Sequence, residues 1–418
     1  TDWKNEVTAI DRMAKLTKED IVAFANKYLK EDNYAVIYKK QGKDPNEKKM
    51  TKPEITPIIT NRDVASPFLV EVQEGAVKPI EPVFLDYQKD MSQLKAKSDI
   101  PVLYKQNVAN DLFQLIYVFD MGNNHDKALG TAFDYLEYLG TSDMTPEELK
   151  SEFYRLACTF YVSPGNERTY VVLSGLNENM PAAVQLFEKL LADAQVNKEA
   201  YTNMTSDILK ARSDAKLNQG QNFSRLMSFA MYGPKSPATN LLTEAELTNM
   251  NPQELVDRIH NQNSYKHRIL YYGPSSSKDL LATINQYHQV PAALKDIPAG
   301  NEYSYLETPV TKVLVAPYDA KQIYMAQISN LDKKYDPAIE PIRALYDEYF
   351  GGGMNSIVFQ EMRETRGLAY SAWASIMPPS YLKYPYVLRT QIATQNDKMI
   401  DAVTTFNDII NLSLIHIS

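Results

Sequence analysis

The sequence predicts an α+β protein in which antiparallel sheets pack against helices. Amphipathic segments with helix-start signals recur along the chain, as at residues 17–28 and 145–161. Apolar segments typical of strands stand between them, as at residues 112–119 and 169–176. Helices and strands come in runs instead of alternating one by one, and this order is typical of α+β domains.

The first elements are a helix and a strand. Thr17 is placed to cap a helix, and Asp20 stands three residues later, where it completes a capping box. Residues 34–38 are predicted to be a strand. We interpret residues 1–48 as the end of a domain whose beginning is missing, and the polar, Pro-containing residues 49–67 as a linker.

The next predicted domain spans residues 68–290. Its best-signalled helix starts at Thr145, with Pro146 in the first turn and Glu148 completing a capping box. The predicted strands are 83–87, 101–105, 112–119, 169–176 and 268–272, and the predicted helices are 127–139, 145–161, 180–193, 198–217 and 251–263.

A Pro-, Ala- and Gly-rich segment at residues 291–301 predicts a second linker, followed by a domain at 302–418. The predicted strands of this domain are 311–316, 322–328, 369–376 and 387–394, and the predicted helices include 336–350 and 399–410. Residues 412–418 leave the helical register. We therefore expect the domain to be cut short there, with a final segment that is foreign to the natural reading frame.

Composition excludes several classes of function. The chain has 418 residues, of which 44% are hydrophobic and 23% charged, as in ordinary globular proteins. Its net charge of −8 argues against nucleic acid as a partner, because phosphate binding needs a basic face. No apolar stretch approaches the roughly 18 residues of a membrane span.

The single cysteine, Cys158, is predicted to be a buried thiol within a helix. Low cysteine content is compatible with the cytoplasm and with a periplasmic or secreted protein, and we favour the periplasm slightly. The chain begins without a methionine, so its start carries no information about a signal peptide.

The most informative stretch lies between residues 351 and 370. It opens with three consecutive glycines, Gly351, Gly352 and Gly353. Glycines can adopt positive φ angles and allow close backbone approach, and here they lead into a predicted helix. Arg363 and Tyr370 then stand seven residues apart, and Gly367 is placed to end the helix between them. A guanidinium and a phenol are both hydrogen-bond donors that could meet a peptide carbonyl.

This stretch resembles the C-terminal-domain motif of the M16 (pitrilysin/insulinase) zinc metallopeptidases, which combines glycines, an apolar helix, an arginine and a tyrosine. The resemblance implies M16/LuxS-like metallohydrolase-type domains. It also implies that Arg363 and Tyr370 bind the substrate backbone and help to stabilise the oxyanion, while the glycines let the peptide approach. Met354 and Phe359 are expected to pack the helix.

The family binds zinc through an inverted H-x-x-E-H helix motif, and this motif is missing. None of the five histidines lies three to five residues from another. The family pattern places Asp134 and Tyr138 at the two histidine positions and retains Glu137. Two carboxylates and a phenol without imidazole do not make such a site. The resemblance therefore implies that zinc in the parent protein has its ligands upstream of residue 1, and that this chain binds none.

The resemblance implies a substrate-binding C-terminal half of a zinc-dependent metalloendopeptidase. The expected partners are a peptide or unfolded polypeptide and the missing N-terminal M16 half. Since the zinc motif is missing, the chain alone is expected to be inactive. The alternative is a catalytically silent M16-like subunit, either structural or the partner of a processing peptidase.

Overall fold

The computed structural model describes residues 3–39, 65–379 and 381–415, together with Gly42. Most of the predicted first linker, residues 49–64, and the last three residues of the predicted foreign segment, 416–418, lie outside the described residues. The chain divides into two compact units, Thr1–Pro82 and Val83–Ser418.

The first unit is helical in its described part. Its helices are α1 Trp3–Val7, α2 Ala9–Met13, α3 Lys18–Tyr28 and α4 Pro67–Glu74. The capping box that opens α3 is confirmed, since Asp20 N donates to Thr17 Oγ1 at 3.2 Å and Thr17 N donates to the Asp20 carboxylate at 2.9 Å. The strand predicted at residues 34–38 was wrong. These residues join no sheet within the described ranges, and a strand needs a paired neighbour.

The second unit begins with a six-stranded sheet. Its strands are β1 Ser92–Lys95, β2 Pro101–Gln106, β3 Leu112–Phe119, β4 Cys158–Pro164, β5 Thr169–Leu176 and β6 Arg268–Gly273. Their order is β1-β2-β6-β3-β5-β4. All neighbours are antiparallel except β2 and β6, which are parallel. Because β6 inserts between β2 and β3, the sheet is complete only when its last strand is in place.

Helices cover this sheet. They are α5 Leu129–Leu136, α6 Pro146–Arg155, α7 Met180–Asp193, α8 Lys198–Lys216, α9 Gln219–Tyr232, α10 Glu244–Asn249, α11 Gln253–Asn261 and α12 Ser277–Tyr287. Apolar residues of α5, α7, α11 and α12 share one core with β3, β5 and β6. The sequence prediction missed α9, although Asn218 caps it by accepting a hydrogen bond from Gln221 N at 3.0 Å.

The helix predicted at 145–161 was too long. It begins as predicted, with Thr145 as N-cap and Glu148 completing the capping box. It ends at Arg155, and Ala157 adopts a φ of 48° that turns the chain into β4. Cys158 therefore lies on a strand and not in a helix. Its thiol is buried as expected, and burial raises the pKa of Cys158.

A three-stranded antiparallel sheet follows in the same unit. Its strands are β7 Gln322–Lys334, β8 Ser371–Met377 and β9 Pro385–Gln395, and β9 is central. The helices are α13 Glu340–Asp347, α14 Ile357–Phe359 and α15 Met399–Ile415. Phe350, Val358, Met362 and Phe406 are almost fully buried and form the centre of a second core.

Two predicted strands of this unit are absent. Residues 83–87 and 311–316 pair with no strand in the part of the chain that the structure describes. Their apolar side chains also remain in solvent; Val83 is 90% exposed and Val313 is 82% exposed. An apolar β-type segment gains little from ordering into a strand when no neighbour buries it.

The predicted fold class is confirmed: the chain is α+β, with antiparallel sheets that contain one parallel pair. Among the described residues, no helix has both the length and the apolar character that crossing a bilayer requires. The predicted domain boundaries at 68–290 and 302–418 stay a prediction, and each of these two ranges contains one of the sheets.

Candidate functional site

The glycine loop lies between two π-helical turns. Gly351 and Gly352 close the first turn, Glu348–Gly352, which continues α13. The expectation of positive φ angles was wrong: among the glycines that have them, none belongs to the loop, and Gly353 is extended with a φ of −134°. The reason for glycine is space. A Cβ on Gly351 would lie within 2.5 Å of the backbone nitrogen of Ala374 on β8.

The helix after the loop opens with a buried cap. Ser356 is 1% exposed, and its Oγ accepts a hydrogen bond from Phe359 N at 3.3 Å. After α14 the helix widens into the second π turn, Gln360–Thr365. The sequence predicted one regular α-helix. It did not predict the π turn, a feature that is frequent at functional sites.

We expect Ser356→Ala to destabilise the three-stranded sheet and the helices packed against it. The change removes a cap in a place where water cannot replace it, so the free energy of unfolding should fall by about 1–2 kcal/mol. Ser276→Ala is the matched control, because Ser276 caps α12 in the same way but is exposed. Chemical denaturation measures both, and equal losses would contradict the role of burial.

Arg363 stands on the second π turn and is held by aromatic rings. Its guanidinium carbon lies 5.0 Å from the centre of the Phe359 ring and 5.5 Å from the centre of the Tyr370 ring. Both distances are within the range of cation–π attraction. The side chain is 44% exposed, and Nε lies 3.8 Å from the Glu364 carboxylate. Its donors are therefore oriented and still accessible.

Tyr370, the other residue of the predicted pair, lies close to Arg363. Gly367 has a φ of 57° and ends the helix, as predicted, and Leu368 N then donates to Met362 O at 2.8 Å. Tyr370 N donates to Ala393 O on β9 at 2.9 Å. The Tyr370 side chain is 72% exposed. Its backbone is thus fixed at the edge of the sheet while its ring faces solvent.

Two residues that the sequence did not single out add further hydrogen bonds to this segment. Lys398 Nζ donates to Gly367 O at 3.0 Å, and Thr394 Oγ1 donates to Leu368 O at 2.5 Å. Both come from the end of β9 and the turn after it, about thirty residues along the chain. No local pattern could reveal them, because they meet the segment only through the fold.

The residues at the family's zinc positions lie elsewhere, at the C-terminal end of α5. Asp134, Glu137 and Tyr138 are all exposed. Partial desolvation, together with the negative charge of Glu137, raises the pKa of Asp134. Carboxylates and a phenol do not offer the imidazole ligands of such a site, so these donors do not fit zinc. Across the described ranges, no three His, Cys, Asp or Glu side chains are grouped as metal ligands.

Comparisons with known proteins concern the fold of the chain. No protein-family profile matches the chain. A Rickettsia felis protein described as an uncharacterized zinc protease is 20% identical over 263 residues, covering 60% of this chain. The matched region is also 60% of that relative's length.

Solved structures show the same fold at low identity. One is the peptidase M16 inactive domain from Pseudomonas fluorescens, with a TM-score of 0.60 and 17% identity over 78% of this chain and 79% of that one. Another is the periplasmic protease PqqL from Escherichia coli, with a TM-score of 0.66 and 14% identity. That match covers 99% of this chain but only 43% of PqqL. The fold that the resemblance implied is therefore confirmed, and the chain has an M16-like fold.

Proposed function

We propose that the chain is the substrate-holding half of a zinc-dependent metalloendopeptidase. Arg363 and Tyr370 would bind the peptide backbone, and the loop Gly351–Gly353 would form the wall that the peptide approaches. The observation that carries the proposal is the arginine held between two aromatic rings with its donors exposed. The ion pair with Glu364 is long, at 3.8 Å, and half-exposed, so it contributes little to the orientation of Arg363. The two rings supply that orientation instead.

The role we assign to the pair is electrostatic. A guanidinium and a phenol hydroxyl that are oriented before substrate binds can donate to a carbonyl oxygen as it gains negative charge. Hydrogen bonds from β9 and the turn after it fix the backbone of residues 367–370, and this reduces the cost of orienting these donors. The zinc would be held by a separate M16 half, since the donors at the end of α5 do not fit it. The similarity to a protein described as a zinc protease and to the protease PqqL supports this division.

The substrate we propose is a peptide or unfolded polypeptide. Arg363 and Tyr370 would contact only the substrate backbone. They would therefore select for a substrate whose backbone is accessible and not for a particular substrate side chain. The similarity to a periplasmic protease supports the periplasm as the compartment.

Replacing Tyr370 tests the proposal. When the chain acts with a zinc-bearing half, Tyr370→Phe should lower kcat/KM for a peptide by about ten- to a hundredfold, because one hydrogen bond to a charged oxygen is lost. Zinc content should not change. Tyr154→Phe is the matched control, because Tyr154 on α6 is 87% exposed and lies outside the site. Equal turnover of Tyr370→Phe and Tyr154→Phe would exclude the assigned role.

A catalytically silent subunit is the second candidate. One observation favours it: the matching Pseudomonas fluorescens structure is itself described as an inactive domain. Such a subunit would need the fold but not the donors of Arg363 and Tyr370. Peptide binding measured by fluorescence anisotropy separates the candidates. In a substrate-holding half, replacing Arg363 and Tyr370 should weaken the binding of an unfolded peptide. In a silent subunit, the same replacement should leave peptide binding unchanged.

A further inference from the structure

A line of buried polar groups crosses the core beneath the six-stranded sheet. Glu188 on α7 is 1% exposed, His288 at the end of α12 is fully buried, and His267 just before β6 is 7% exposed. The Glu188 carboxylate lies 2.7 Å from His288 Nδ1, and His288 Nε2 lies 2.9 Å from His267 Nε2. His267 Nδ1 lies 2.7 Å from Tyr265 O. The four groups thus make three hydrogen-bond contacts in series.

Each of the three contacts in this line needs one proton. A backbone carbonyl only accepts, so His267 Nδ1 must carry a proton toward Tyr265 O. The contacts between the carboxylate and His288, and between the two Nε2 atoms, need one proton each. Three protons are required, whereas an ionised carboxylate and two neutral imidazoles supply two. Without a third, two lone pairs would face each other at 2.9 Å.

Charge leads to the same conclusion. The second oxygen of Glu188 accepts from Asn263 Nδ2 and from Gln289 N, both at 3.0 Å, and these donors favour the ionised carboxylate. A buried carboxylate needs a compensating positive charge. Burial and the charge of Glu188 raise the pKa of Tyr117 well above its usual range, so this neighbouring phenol on β3 stays neutral. The positive charge must therefore reside on the histidines.

We propose that Glu188, His288 and His267 form a buried cation site whose occupant at neutral pH is one proton, carried by His288 and shared with His267. The imidazolium of His288 then donates from both nitrogens, to Glu188 on one side and to His267 on the other. Burial and this positive charge lower the pKa of His267 to about 4, so the second ring accepts without becoming charged.

The geometry fits a proton better than a metal ion. A distance of 2.9 Å is a normal hydrogen bond between two nitrogens. Two imidazole nitrogens bound to tetrahedral zinc at their usual distances would be about 3.3 Å apart. Glu188 lies on the far side of His288, so it cannot act as a third ligand at the same point.

The site makes stability depend on pH on the acid side. Unfolded histidines titrate at about pH 6.5. Below this pH the unfolded chain binds a proton that His267 in the folded site does not bind until about pH 4, so stability falls as pH decreases. Over this range the unfolding constant should change by about tenfold per pH unit from this site.

Nitrogen NMR of the histidine-labelled 418-residue chain tests the proposal directly. At about pH 8 an ordinary imidazole is neutral. We expect both ring nitrogens of His288 to be protonated at this pH, and the exposed His260 serves as the internal reference. His267→Gln assigns the signals and should remove the acid-side loss of stability, and His260→Gln should leave it unchanged. Loss of the His288 proton in step with His260 would overturn the proposal.

Two further measurements test whether the occupant of the site is a proton. Glu188→Gln removes the compensating charge, so His288 should become neutral at about pH 8, whereas an unchanged doubly protonated ring would count against the charge argument. If Glu188→Gln fails to fold, the wild-type comparison with His260 still decides. One equivalent of metal in the purified chain that is lost in His267→Gln would overturn the proton as occupant.

Discussion

Arg363→Ala should lower kcat/KM for peptide hydrolysis by about a hundred- to a thousandfold when the chain acts with a zinc-bearing half. This is the usual cost of removing one oriented donor to a developing oxyanion. Here the donor is a guanidinium aligned by the rings of Phe359 and Tyr370. The loss should appear mainly in kcat, because the interaction strengthens as the carbonyl oxygen gains charge. Steady-state kinetics with a quenched peptide measures it.

The chain provides a matched control for this variant. Arg366 stands three residues later, is about as exposed as Arg363 and makes a similarly loose ion pair, with Nε 3.4 Å from Glu361. It contacts neither aromatic ring of the site in the described structure. Arg366→Ala should therefore keep near-normal turnover. Bound zinc, measured by mass spectrometry, should be equal in both variants. Similar kinetics for the two variants would remove Arg363 from the proposed site.

Gly351→Ala should unfold the three-stranded sheet with its helices or lower the free energy of unfolding by about 3 kcal/mol or more. The added methyl group would lie within 2.5 Å of the Ala374 backbone nitrogen, closer than non-bonded atoms come. The neighbour is backbone of β8, which cannot rotate away as a side chain can. Overpacking relieved only by backbone movement is among the costliest single changes. Thermal unfolding monitored by circular dichroism measures the loss.

Gly353→Ala distinguishes lack of space from a general need for glycine. Its new methyl group would lie 3.0 Å from a carboxylate oxygen of Glu348, the end of a flexible side chain. The φ of −134° is accessible to alanine. Gly353→Ala should therefore melt within a few degrees of wild type. If it also disrupted the domain, the packing argument for Gly351 would fail.

The local features of the fold and of the site were predictable. Helix signals depend on neighbouring residues, so the capping boxes at Thr17 and Thr145 were confirmed by the structure. Gly367 ends its helix as predicted. The pair Arg363 and Tyr370 was predicted as a unit, and the structure does bring the two together.

The errors share one physical cause, which is that strands and close contacts depend on distant partners. Segments 83–87 and 311–316 have the composition of strands but lack a paired neighbour in the described structure. Ala157 ends α6 with a positive φ angle, and alanine has no preference for positive φ that would have predicted this turn. The glycine loop needs glycine because β8 lies against it, not because of its own φ angles.

By itself, the sequence determined the α+β class, the main helices with their caps, and the family motif with its arginine and tyrosine. These are properties of residues close together in the chain. Only the tertiary structure decided which two rings contact Arg363, why Gly351 must be glycine, and that His267 meets His288, 21 residues away. No helical spacing connects these histidines. The two histidines meet only because the fold buries them side by side. Burial also increases the free-energy contribution of their shared proton.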